Sequence, residues 1–334
     1  MWKLRALVSL LFIIAPVAHA RAAASRDSTR HAALHLCIGD VGISFGNAPR
    51  VHGLRFTADD RGLERVNGLN LALVSTHGSP NSRVFGVAVN VLGGAYPRGI
   101  MQGAWGIAEA PWICNVDGFA VSPFGIGVER SRGILLTAIT ASARRATGIQ
   151  LAGLGLEIER STGIQAASLA VLGKGPYTGI TVSGIATFTG GPMTGLNAGT
   201  FLWASSLTGI NAGAFVVAKR VRGITAGGMV VDDSMSVGGI TAAVVIGAPP
   251  WMGGEVGPSR VGGLSAAAVV EVLDLAGVSV AGYNRVTGVQ RGVTIGLFND
   301  ARSLHGVQLG VLNRAANNPG AFRLLPVANA HWGR

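Results

Sequence analysis

A glycine followed by Ile, Leu or Val returns every 14 to 16 residues through more than half of this chain, at Gly133, Gly148, Gly163, Gly179, Gly195, Gly209, Gly223 and Gly239, then at Gly263, Gly277, Gly292 and Gly306. Upstream, Gly53, Gly68, Gly86 and Gly118 keep the beat less cleanly. Self-similarity at a fixed short period restricts a chain to stacked or arrayed copies of one small unit. The one long step, from Gly239 to Gly263, contains Ala248-Pro249-Pro250-Trp251-Met252-Gly253-Gly254. Its turn-forming residues read as a loop inserted at 248–260 into a single unit.

Aligned on that glycine, the units show what each position is for. The next residue is aliphatic, as in Ile134, Ile180, Leu196, Ile224 and Val307. The one after is uncharged and polar almost throughout, as in Gln150, Thr181, Asn197, Asn211, Thr225 and Thr241, and the third is apolar again. This alternation predicts a strand with one buried face, the aliphatic residues inside and the polar column outside. Two mostly small residues follow, and a large apolar residue stands at the sixth place, as in Leu154, Ile185, Phe201, Phe215 and Phe298. Buried positions that change parity require a bend or bulge, which small residues permit. Charges gather in the last third of the unit, at Glu157, Glu159, Arg160, Lys219, Arg220, Asp232 and Asp233.

Two all-β assemblies fit such units. In a parallel β-solenoid of about 15-residue coils, equivalent residues stack in columns about 4.8 Å apart. In an antiparallel transmembrane β-barrel, alternate units run in opposite directions. Like residues at like places in every unit favour the solenoid, and Asn284, Asn299, Asn313 and Asn329 have the spacing of an Asn ladder bonded from coil to coil. A membrane barrel wants aromatic girdles, and aromatics make up only 6% of this chain.

Composition removes other classes. With 49% hydrophobic and 13% charged residues the chain is not disordered, and 13 Pro among irregularly spaced glycines exclude collagen. The net charge of +11 invites a nucleic-acid reading. The densest basic pairs, Arg144-Arg145 and Lys219-Arg220, make no cluster, so no nucleic-acid partner is expected.

At the N-terminus a basic start, Met1 to Arg5, precedes an apolar run from Ala6 to Val17 and then Ala18-His19-Ala20. That is the pattern of a secretory signal peptide over 1–20, too short to span a bilayer. The expected organisation is that signal, a flexible mature N-terminus over 21–36, and one repeat domain over 37–334. Export would allow Cys37 and Cys114 to form a disulfide, with separate thiols the alternative.

The C-terminal units read Gly292-Val-Thr-Ile-Gly-Leu-Phe-Asn299 and Gly306-Val-Gln-Leu-Gly-Val-Leu-Asn313. They resemble the bacterial surface-repeat proteins of the leptospiral type, whose units read G-h-Q-h-G-h-h-N. The resemblance is good over 288–334 and looser over 118–287. It implies an exported, envelope-associated protein, and it carries no catalytic residues because the family pattern is structural.

Chemistry is sparse. Gly42-Ile43-Ser44-Phe45-Gly46 has the form of a nucleophile elbow, but Pro49 follows where a helix should start, so a turn is expected. Asp232-Asp233 stands five coils from Glu157, too far for paired acid/base work. No cofactor, metal site or catalysis is expected. The candidate binding face is the polar column Thr181, Asn197, Asn211, Thr225 and Thr241, and the candidate functional loop carries Trp251 and Met252. The reading is therefore an exported scaffold with a structural, adhesive or interaction role, and an outer-membrane pore or a glycan-binding or glycan-active solenoid as alternatives. Its expected partners are envelope polysaccharide, a membrane surface or other surface proteins. Oligomeric state and anchoring stay open.

Overall fold

In a computed structural model the described residues are 33–60, 62–74, 81–91, 113–231, 235–247 and 259–332. Among them lies one continuous sheet of eighteen strands, wound as stacked parallel coils into a β-solenoid and not a barrel. Glycine pairs with glycine from coil to coil: Gly118 with Gly133, Gly133 with Gly148, Gly148 with Gly163, and Gly163 with Gly179. Each coil is named below by this glycine.

The column is glycine for two reasons that act together. From Gly42 to Gly306 its members hold φ between 89° and 151°, where L side chains carry strain. From Gly53 onward, an added β-carbon would fall within 3.0 Å of the carbonyl oxygen of the glycine one coil earlier. The coils approach each other there backbone to backbone, and any side chain would hold them apart.

The strand continues through the glycine, as in Gly125–Thr137 and Thr140–Ala152. Inward positions lie two before, two after and four after it. Two before stand Val66, Val84, Val116, Tyr177, Met193, Leu207, Val221 and Leu275, all at most 2% exposed. After the small-residue corner the parity changes in the Gly195 to Gly239 coils, as the repeat predicts, where Leu202, Val216, Val230 and Ile246 stand seven after the glycine. Leu156 and Ile158 of the Gly148 coil keep the even offset, and both sets close the core from the other side. Each such Val or Leu contributes about 1.5–3 kcal/mol by leaving water.

The alternation is right but its sense is reversed. The polar column two after the glycine is inside, and the aliphatic residues one and three after it are outside. Ile180, Leu196, Ile210, Ile224, Ile240 and Leu264 are 38–52% exposed. Most of the large residues at the sixth place also face outward, Leu154, Ile185 and Phe298 among them.

Both ends break the parallel rule. Ala33–Ile38 pairs antiparallel with Val41–Gly46, and Leu324–His331 pairs antiparallel with the last coil. A short 3-10 turn, Gly320–Arg323, reverses the chain before that final strand. Residues 33–36 are therefore strand and not flexible tail. The Gly42–Gly46 segment is strand too, not a turn, and Ser44 on it is fully buried. The signal-peptide segment, Asp232-Asp233 and most of the 248–260 loop lie outside the described residues.

Candidate interaction face

The residues expected to form a binding face are instead a buried ladder. Thr181, Asn197, Asn211, Thr225 and Thr241 are only 1–2% exposed. Their burial is tolerable because the neighbouring coils, from Gln165 to Ser265, each place a polar group at the equivalent position about 4.8 Å away. Asn197 Nδ2 donates to Asn211 Oδ1 at 2.9 Å, and Asn211 Nδ2 donates to Thr225 Oγ1 at 3.3 Å. The Gln150 and Gln165 amides meet at 3.3 Å in the same column, and Gln308 Nε2 donates to Gln290 Oε1 at 3.0 Å. A buried donor left without such a neighbour would cost about 1–3 kcal/mol.

The Asn series forms a second internal ladder. Asn284 Nδ2 donates to Asn299 Oδ1, and Asn299 Nδ2 to Asn313 Oδ1, each at 2.8 Å. Asn329 arrives on the antiparallel strand, so its amide donates to the Asn313 backbone carbonyl at 3.2 Å instead of continuing the side-chain series. These groups stabilise the stack and are closed to any ligand.

The Cys37 thiol is free, lying 3.4 Å from the Ile43 carbonyl oxygen. Cys114 belongs to Ile113–Ser122, separated from the first parallel coil by the strands of the Gly53, Gly68 and Gly86 coils. Steps of about 4.8 Å put that strand far beyond the Cα separation a disulfide spans. Of the two readings left open, a bridge and separate thiols, the coil order fits separate thiols. Trp251 and Met252 lie outside the described residues.

A buried ionic cluster near the N-terminal end is likewise structural. The Arg55 guanidinium, fully buried, donates to Asp60 Oδ1 at 2.5 Å, to Asn70 Oδ1 at 2.8 Å and to the Ala48 carbonyl at 3.0 Å. It ties three successive turns of chain together.

What remains outside is ordered in columns. The aliphatic column pairs Ile134 with Ile149, Ile149 with Ile164, Ile164 with Ile180, and Ile180 with Leu196. Two residues before the members of this column from Ile149 to Ile210 stands an exposed threonine column, Thr147, Thr162, Thr178, Thr194 and Thr208, in register. Three residues before the glycine runs an arginine column. Arg50 pairs with Arg65, Arg65 with Arg83, Arg83 with Asn115, Asn115 with Arg130, Arg130 with Arg145, and Arg145 with Arg160.

This basic line escapes a search for consecutive Lys and Arg, because its members are spaced about a coil apart. The same glycine alignment that revealed the strands carries it at a fixed offset. Arg50 is paired with Glu64 at 2.6 Å, and Arg65 lies over the Phe85 ring at 5.1 Å. Glu129 and Glu159 both turn to Arg144, at 2.8 and 3.9 Å. Among the described residues no ion pair engages Arg83, Arg130, Arg145 or Arg160.

An apolar groove of about 490 Å³ crosses three of these coils, lined by Val121, Leu136 and Leu151 with Pro123, Ala138 and Gly153 at its side. Compared with known proteins, the chain matches no family model, no curated protein and no solved structure.

Proposed function

We propose that this chain is an exported, envelope-associated scaffold with a structural or adhesive role and no catalysis of its own, working through its outer columns. The observation that carries this reading is the continuous aliphatic column from Ile134 to Leu264, whose exposed members run from 36 to 52%. Surface apolar residues scattered singly need no explanation, whereas an ordered, extended apolar face marks a site of contact. The interior supports the same conclusion, since its Asn197–Asn211–Thr225 and Asn284–Asn299–Asn313 side chains bond to one another from coil to coil and are buried away from any ligand. The signal-peptide pattern at 1–20 and the resemblance of 288–334 to leptospiral-type surface repeats support the envelope address.

A glycan-binding role rests on a different column from the one the sequence suggested. Thr147, Thr162, Thr178, Thr194 and Thr208 present stacked hydroxyl-bearing side chains to solvent. A Thr162→Val, Thr178→Val, Thr194→Val variant would lose glycan retention if this column carries it.

Labelling of intact cells with an impermeant reagent tests the main reading. Protein reached by the label, or recovered with the envelope, supports it. Protein confined to the cytoplasm defeats it.

A further inference from the structure

We propose that the outer face of the Gly118 to Gly163 coils docks on an anionic lipid surface, with the arginine column against headgroup phosphates and the aliphatic columns against acyl chains. The inference rests on the scaffold reading above and names its partner.

Three observations on the same coils carry it. Arg130, Arg145 and Arg160 form an uninterrupted run of like charge, with Cα atoms one coil apart and, among the described residues, no ion pair to any of the three. Such a line repels itself in isolation and favours a partner with closely spaced negative groups. Guanidinium groups suit phosphate oxygens, which they engage through paired N–H donors.

Four residues further along the same strands stand Ile134, Ile149 and Ile164, outward by the same alternation. At about 3.3 Å per residue the two columns are roughly 13 Å apart. The same strands then supply Leu136 and Leu151 to the apolar groove, and Phe124 and Leu154 stand 53% and 43% exposed near it. A soluble polyanion such as nucleic acid would use the arginines and leave this apolar area in water. A lipid surface uses both, as basic and apolar residues do on interfacial proteins. The long arginine stems can follow the apolar surface while their heads stay at headgroup level.

The test is co-sedimentation of the full chain with vesicles of phosphatidylcholine alone and of phosphatidylcholine with 30% phosphatidylglycerol. Binding at least tenfold stronger to the anionic vesicles is expected, with release between 50 and 500 mM NaCl. An Arg130→Gln, Arg145→Gln, Arg160→Gln variant should lose at least tenfold in binding. An Ile134→Ser, Ile149→Ser, Ile164→Ser variant should lose a similar factor. The N-terminal apolar run is common to all three proteins, so the difference between them reports this face alone.

Should a triple variant lose its β-sheet circular dichroism, single Arg145→Gln and Ile149→Ser proteins replace it, each expected to lose about threefold. Equal binding to both vesicle types, absence of binding, or binding unchanged in the variants would each overturn the inference. So would retention on heparin or DNA that ignores the isoleucine changes while vesicle binding is absent. An envelope-located protein that ignores anionic vesicles overturns this inference and leaves the scaffold reading standing. A cytoplasmic protein overturns that reading instead, whatever the vesicles show.

Discussion

The carbonyl oxygen of Gly148 occupies the space that a β-carbon on Gly163 would need. This relationship repeats from coil to coil and explains why the chain spends a glycine in every turn. It also makes the column the most sensitive line in the molecule to the smallest side chain.

Gly163→Ala should therefore destabilise the fold by about 3 kcal/mol or more, combining strain at φ 124° with a clash against backbone that cannot rotate away. Gly238→Ala is the matched control, because nothing lies within 4 Å of its added methyl and its φ is unremarkable. It should change stability by less than about 0.5 kcal/mol. Urea midpoints of the two variants against the parent would check both values.

The reversed sense of the coil can be read out chemically. In a Cys37→Ser, Cys114→Ser background, a cysteine at position 224 should react with maleimide about as fast as a free thiol, since Ile224 is 50% exposed. A cysteine at the next position, where Thr225 is 1% exposed, should react roughly 100-fold more slowly or only on unfolding. The opposite order of rates would put the polar column outside.

Asn299 both accepts from Asn284 and donates to Asn313 and to the Leu309 carbonyl. Asn299→Leu preserves volume but leaves the Asn284 amide with only its 3.4 Å bond to the Ile295 carbonyl, and removes the donor to Asn313 Oδ1. A loss of about 3 kcal/mol is expected. Hydrogen exchange should show it as faster opening of the Gly292 and Gly306 coils, with the Gly148 coil unaffected because solenoid coils contact only their neighbours.

Burial pushes the Glu271 carboxyl above its ordinary value of 4.5, while the Arg285 guanidinium, 3.1 Å away, pulls in the other direction and only partly offsets it. Between the unfolded and folded values the native state holds more protons than the unfolded chain. The contribution of Glu271 to stability is thus fully present below pH 4.5 and is lost as pH rises through the raised folded value. Glu271→Gln keeps an acceptor for Arg285 and removes this loss. Its melting temperature should match the parent near pH 4 and exceed it at pH 7 to 8.

Much of the architecture was legible in the sequence because it is local and repeated. The period, the strand, the corner marked by two small residues and the change of parity across it all follow from which residue types sit at fixed distances from the glycine. The parallel stacking followed too, since columns of like residues suit equivalent neighbours. The Arg50 to Arg160 column was equally present at a fixed offset, and only a search along the sequence instead of across the repeats passes over it.

What the sequence by itself determined, then, is a solenoid with two alternating faces. Which face turns inward was decided by tertiary structure alone. An alternation of Ile and Thr is the same pattern read from either side, and hydrophobicity taken singly puts Ile224 inside and Thr225 out. Stacking reverses this, because a coil lying about 4.8 Å away supplies each buried Asn, Gln or Thr with an equivalent group and so removes much of the cost of taking it from water. The isoleucines lose little by comparison, covering one another sideways in their own ladder and leaving about half their surface for whatever the rod meets.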